Sequence, residues 1–293
     1  MRLVTYASPG GLPLAGVIHG DSVHSLQPAG FNAVTEVAAG GEAALAKIRE
    51  YLALPAAPAA PLISVTLLAP IPRPPKIICV GLNYRDHAAE AKMEIPQVPT
   101  IFSKFASAVI GPGAPIVLPR NSRKPDYEAE FGVVIGAGGR HIPAARWREH
   151  VLGYTCVNDV SARDYQRMTT QWVVAKSFDT FCPLGPWITT ADEIADPHAL
   201  DIGCEINGET LQSSNTRHMI FKLPELIEFL SSVCTLEPGD IISTGTPAGV
   251  GFARRPQRWL RPGDEVVVRI EGVGELRNPV VAEAAGASAA EHK

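Results

Sequence analysis

Runs of four to eight apolar or alternating residues, cut again and again by glycine and proline, constrain this chain more than any other feature. Residues 2 to 26 alternate apolar and polar positions around the turns ASPGG and HGDS, which predicts two or three short antiparallel strands. DIGCEINGETLQ alternates on both sides of Asn207-Gly208, a strong hairpin signal, and RPGDEVVVRIEGVGELRNPVV predicts another hairpin. Helical spacing is confined to a few stretches: residues 35 to 52, interrupted by Gly40 and Gly41, a short 144 to 151, and 224 to 233 with proline in its first turn. Many short strands and few helices predict an α+β, mainly β fold. Prolines gather between Pro55 and Pro75, and proline forces its predecessor towards extended geometry, so a boundary is expected near residue 70. This gives a small N-terminal α/β domain over 1–70, a larger domain over 71–283 and an alanine-rich tail over 284–293 expected to be disordered.

Composition narrows the class of partner. With 46% hydrophobic and 19% charged residues the chain is too apolar for a disordered one, and no apolar run reaches membrane-spanning length. A net charge of -4 gives no footprint for nucleic acid or an anionic membrane. Small molecules are the expected partners. Five cysteines without a CxxC pair suggest neither a disulfide frame nor a zinc cluster, and they read as reduced buried thiols. Pro9, Gly10 and Gly11 interrupt the N-terminal apolar residues, so no signal peptide is expected and the setting is expected to be cytoplasmic.

The stretch Asp126 to Ile135, DYEAEFGVVI, places Glu128 and Glu130 two apart at the head of a strand-like run, so both side chains share a face. Adjacent anions raise each other's pKa unless a cation lies between them. A divalent ion would remove that repulsion; on EAE alone, the solvated face of an edge strand explains the pattern as well. In GLNYRDHAAEAK, Asn83 can cap a helix, with Asp86 three residues on completing an approximate capping box. On that helix His87 and Glu90 are neighbours, and a carboxylate beside an imidazole fixes its tautomer and makes it a better base. An isolated HxxE also fits a plain surface helix. His19 and His24 sit beside turn glycines and read as hairpin residues. Gly153 to Val157 reads as a strand delivering Asp159 at its end, with Ser161 capping a helix that contains Arg163, Asp164, Gln166 and Arg167. Asp164 is read as structural. QWVVAK would leave Lys176 at the edge of a dry region, or snorkelling from it. The glycine-rich STGTPAGVG would expose backbone N–H groups, able with Thr246 to receive a carboxylate or carbonyl oxygen.

Taken in order, GLNYRDHAAE, IFSKFASAVIGPG, DYEAEFGVVIG, NDVSARDYQ, AKSFDTFCPLGPW and STGTPAGVG resemble the fumarylacetoacetate hydrolase family, from about residue 70 to about residue 280. The resemblance implies the mixed β-roll of that family preceded by the small N-terminal domain of its longer members, and a homodimer. It implies that Glu128, Glu130 and Asp159 bind Mg2+ or Mn2+, an oxygen-only set that suits a hard cation. His87 and Glu90 match its dyad and Lys176 its lysine, while Tyr84, Gly245 and Thr246 are candidates for substrate binding. Ser103 and Lys104 fall in a further matching block as supporting residues.

The function implied is hydrolysis of a C–C bond in an acylpyruvate-like 1,3-dicarbonyl 2-oxo acid, with His87 activating water and Lys176 stabilising developing charge. The metal would chelate the 2-oxo and carboxylate oxygens and stabilise the enolate. The same enolate chemistry supports the alternatives: decarboxylation or tautomerisation of oxaloacetate, or isomerisation of a 2-oxo-diene dioate. A non-catalytic scaffold is the reading from another class, opposed by the complete set of site residues.

Overall fold

The computed structural model describes residues 1–54 and 57–284. Pro55 of the proline run, and the alanine-rich tail from residue 285 onward, lie outside the described residues.

The alternating segments form strands where turn chemistry ends them. Arg2–Ala7, Leu14–His19 and Ser22–Ser25 are consecutive antiparallel strands, and Asp201–Ile206 pairs with Glu209–Asn215 through a turn in which Asn207 and Gly208 both have positive φ, 53° and 81°. The predicted helices are present as Val34–Leu52, kinked at Gly41, and Leu223–Val233. The latter buries Leu223, Leu226, Ile227 and Leu230 along one face, as its spacing requires. Residues Ala144–His150 adopt a 3-10 helix.

Strands dominate, in mixed sheets. The large sheet runs from the N-terminal strands through Cys182–Thr190, Val151–Asn158, Ala129–Ile135, Ile241–Ser243 and Ile77–Gly81 to Thr100–Ser103 at its edge. Most pairs are antiparallel, while Ile241–Ser243 and Ile77–Gly81 run parallel. A five-stranded sheet contains Glu209–Asn215, Asp201–Ile206, Glu265–Ile270, Gly274–Ala282 and Ile116–Leu118. One apolar cluster packs around both sheets, with Tyr127, Phe131 and Tyr154 fully buried. A second joins Leu3, Val17 and Ile48 to Val134, Leu152 and Leu184. Arg2 and Leu3 pair with Thr189 and Ile188, so the N-terminal segment and the following region share both a sheet and a core.

This arrangement positions the chemistry. The central strands Ala129–Ile135 and Val151–Asn158 are buried along their whole length, and antiparallel pairing sets Ala129 opposite Asn158. Glu128, Glu130 and Asp159, distant in sequence, therefore meet at one end of this strand pair. No helix among the described residues is long and apolar enough to cross a membrane.

Candidate active site

Glu128, Glu130 and Asp159 each offer a carboxylate oxygen, and these lie within 4.8 Å of one another in buried surroundings. Three anions packed so tightly need cations, and three side chains supply them. Lys176 donates to Glu128 Oε2 and to Asp159 Oδ2, each at 2.5 Å. Lys104 donates to Asp159 Oδ1 at 2.6 Å and to the Val160 carbonyl at 3.2 Å. Arg163 bonds Glu128 through Nη2, Asp126 Oδ2 through Nε at 2.8 Å and Gln166 Oε1 through Nη1 at 2.9 Å.

These contacts split the glutamates electrostatically. Burial would raise the Glu128 carboxyl, but Arg163 and Lys176 outweigh it and hold the pKa down at about 2. Glu130 lies well above the usual carboxylate range, through burial first and then repulsion by Asp159 and Glu128. Its Oε2 accepts from Ser243 Oγ at 2.5 Å and from Gly245 N at 3.0 Å, which limits that rise without reversing it. An oxygen-only trio in which one member is destabilised as an anion fits a hard divalent cation, whose charge removes the repulsion.

The helix Arg85–Ala91 carries His87 and Glu90 on one face, with His87 Nδ1 3.4 Å from Glu90 Oε2. Asn83 does not cap this helix. Tyr84 occupies the N-cap position, and the Asn83 amide reaches across the fold instead, donating to the Phe221 and Thr244 carbonyls and accepting from Phe221 N. Asp86 likewise completes no capping box; it bonds His87 N and Ser214 Oγ. Ser161 also departs from expectation, pairing with Asp126 in a two-residue strand while Ala162 precedes the helix Arg163–Gln166. Asp164 has the structural role expected of it, accepting from Ser122 Oγ and Arg123 N.

The glycine-rich loop differs most from its sequence reading. Its N–H groups serve the protein's own carboxylates: Gly245 bonds Glu130, Gly249 bonds Glu90 at 3.0 Å and Gly251 bonds Asp126 at 2.7 Å. Gly245 (φ +97°) and Gly249 (φ +102°) are required as glycines, since a Cβ would meet Asn83 Cβ at 2.8 Å and Leu211 O at 2.1 Å respectively. Gly245 therefore orients a carboxylate, and it lies outside the cavity lining. Tyr84, the other early candidate for substrate contact, is fully buried and lies outside the cavity lining.

A cavity of about 270 Å3 opens onto this cluster. Glu128, Glu130, Lys176, His87 and Thr246 line it, with Phe102, Trp172 and Phe252 as apolar walls. Thr246 Oγ1 accepts from Gln212 Nε2 at 2.8 Å, and Gln212 Oε1 accepts from Ala129 N at 2.9 Å. One buried amide thus ties the loop to the backbone between the two glutamates. A larger groove of about 980 Å3, flanked by Ile101, Phe105 and Val233, contains no carboxylate and lies by the edge strand Thr100–Ser103.

Sequence reasoning missed Asp126, Arg163 and Gln212 as parts of this site, and it ranked Lys104 as merely supporting. Asp126 and Arg163 do lie inside the matched motifs DYEAEFGVVIG and NDVSARDYQ, but only the fold shows that they pair. A sequence model described as Fumarylacetoacetate (FAA) hydrolase C-terminal matches residues 76–281. The chain belongs to the fumarylacetoacetate hydrolase family. It is 47% identical over 289 residues to a mitochondrial oxaloacetate tautomerase of Bos taurus, covering 96% of this chain and 92% of the relative. Among solved structures it resembles maleylpyruvate hydrolase from a Sphingobium species in complex with manganese(II) and pyruvate, with TM-score 0.82 and 34% identity, covering 97% of this chain and 100% of the other. It also resembles 5-carboxymethyl-2-hydroxymuconate delta-isomerase from Mycobacterium smegmatis, with TM-score 0.77, 39% identity and the same coverage. The family relatives thus include hydrolase, isomerase and tautomerase activities.

Proposed function

We propose that this chain is a divalent-cation-dependent enzyme that moves a proton at the carbon beside the ketone of a small 2-oxo acid, and that its reaction is keto–enol tautomerisation of oxaloacetate. The observation that carries this reading is the placement of an imidazole, braced by a carboxylate, on the wall of a small cavity that is also lined by Glu128 and Glu130 of a buried three-carboxylate cluster. Near-full-length similarity to oxaloacetate tautomerases at 47% identity supports the choice of substrate.

Glu128, Glu130 and Asp159 would hold Mg2+ or Mn2+, which supplies positive charge where negative charge develops on the substrate's oxygens. Engagement of His87 Nδ1 by Glu90 leaves Nε2 as the nitrogen able to take a proton from the substrate carbon or return it. Glu90 is itself fixed by Gly249 N, so the base is anchored to the loop that also carries Thr246. Because Thr246 Oγ1 already accepts from Gln212, its hydroxyl proton is available to a substrate oxygen. Lys176, held by Glu128 and Asp159, keeps positive charge on the cavity wall for an anionic substrate. Phe102, Trp172 and Phe252 restrict water.

Hydrolysis of an acylpyruvate is the second reading, favoured by the similarity to maleylpyruvate hydrolase, with His87 taking its proton from water instead. The test follows decay of enol-oxaloacetate, pyruvate release from oxaloacetate and cleavage of acetylpyruvate, each with Mn2+ and with chelator. Cation-dependent acceleration of the first alone supports the tautomerase. Acetylpyruvate cleavage without enol turnover transfers the assignment to the hydrolase, and pyruvate from oxaloacetate transfers it to a decarboxylase. A homodimer is part of the proposal, checked by sedimentation, as is a cytoplasmic setting, checked by fractionation against the mitochondrial setting named for the relative.

A further inference from the structure

We propose that Arg167 is the specificity determinant of this cavity, holding the second carboxylate of a dicarboxylic 2-oxo acid. The inference deepens the reading above and rests on it for the orientation of the substrate.

Arg167 ends the short helix Arg163–Gln166 and lines the cavity. The site's other cations are committed: Lys104 to Asp159, Lys176 to Glu128 and Asp159, and Arg163 to Asp126 and Glu128. The Arg167 side chain has no hydrogen-bonding or ion-pair partner among the described residues, its backbone N–H alone bonding the Tyr165 carbonyl, unlike its neighbour Arg163. The acids that line the cavity are Glu128 and Glu130; Arg163 and Lys176 engage the first, Ser243 and Gly245 the second. Asp164, the acid nearest to Arg167 in sequence, turns to Ser122 and Arg123. The guanidinium at the cavity wall is therefore free to receive an anion.

Charge balance indicates which anion. Asp126, Glu128, Glu130 and Asp159 face Lys104, Arg163 and Lys176, and Glu90 adds a further negative charge beside His87, so a divalent cation brings the site to formal neutrality. The 2-oxo acid head would be held at the cation, which leaves none of these committed cations for a distal carboxylate. A second carboxylate needs another cation, and Arg167 supplies it with a planar fork suited to two carboxylate oxygens.

The experiment compares oxaloacetate with its 4-methyl ester, which keeps the 2-oxo acid head and removes the second charge. Tautomerisation kinetics and calorimetric binding to the Mn2+-loaded protein are measured for the wild-type chain, Arg167→Gln and Arg167→Lys. Arg167→Gln is expected to raise KM for oxaloacetate about tenfold, with kcat nearly unchanged, and to leave the ester unaffected. Arg167→Lys should recover part of the loss. The ester also checks folding, since a misfolded variant loses both substrates. Equal effects on diacid and ester, or no effect on either, overturn the assignment. If the wild-type chain turns over neither compound but binds the diacid more tightly, and Arg167→Gln abolishes that preference, the tautomerase reading fails and the role of Arg167 stands. Absence of both turnover and preference overturns both.

Discussion

Gln212 donates a buried hydrogen bond of 2.8 Å to Thr246, and its amide oxygen accepts from the backbone between Glu128 and Glu130. A residue of the five-stranded sheet thereby fixes the distance between the strand that carries Glu130 and the loop that carries Thr246. Gln212→Leu would strand the Ala129 N–H in a dry interior at a cost of about 1–3 kcal/mol. The expected result is a melting temperature lower by roughly 2–10 °C, with KM for the 2-oxo acid raised as Thr246 loses its anchor. Calorimetry and steady-state kinetics check the two effects separately.

Lys176 is buried, and although burial alone would lower its pKa, Asp159 and Glu128 raise it, so the ammonium stays charged. Lys176→Met leaves two buried carboxylates with less compensation, a loss on the order of 3–5 kcal/mol for a broken buried ion pair. A bound divalent ion should restore part of that loss. Melting curves with chelator and with Mn2+ should therefore differ more in the variant than in the wild-type chain; an equal difference would show that Lys176 and the cation do not share these carboxylates.

The raised pKa of Glu130 predicts a pH-dependent cation affinity. In the cation-free chain its carboxyl keeps a proton above the ordinary 4.5, because burial and then Asp159 and Glu128 disfavour the anion. Cation binding needs the carboxylate, so proton release should accompany it and affinity should rise with pH. The sign for folding is opposite. Between 4.5 and the raised value the folded chain binds more protons than the unfolded one, so this carboxyl's contribution to the stability of the cation-free protein falls as pH rises through that window. Calorimetric Mn2+ titrations in buffers of different ionisation enthalpy count the protons released.

His87→Ala removes the proton carrier and should lower kcat by about 10²–10⁴-fold, while Mn2+ affinity stays close to that of the wild-type chain. Glu90→Gln should have a smaller effect on kcat, since the imidazole persists with weaker orientation. Stopped-flow decay of the enol form measures both. A His87→Ala variant retaining full rate would remove the proposed base from the mechanism.

Much of the local architecture follows from the amino-acid sequence. The two-residue period placed Glu128 and Glu130 together, Asn207-Gly208 supplied the positive φ of a tight hairpin turn, and the spacing of Leu226, Ile227 and Leu230 marked a core-facing helix. The ordered motifs identified the family. These signals are local because φ, ψ and side-chain periodicity act over a few residues. Arg163 pairing with Asp126, Lys104 reaching Asp159, Gln212 bracing Thr246 and the loop N–H groups turning to Glu130, Glu90 and Asp126 are of another kind. Each depends on which distant strands lie side by side, and Asn83 shows the difference: by local chemistry it is a helix cap, yet in the fold its amide joins two remote segments. Burial decided such cases, since polar groups shut away from water take whichever partners the packed sheets bring within reach.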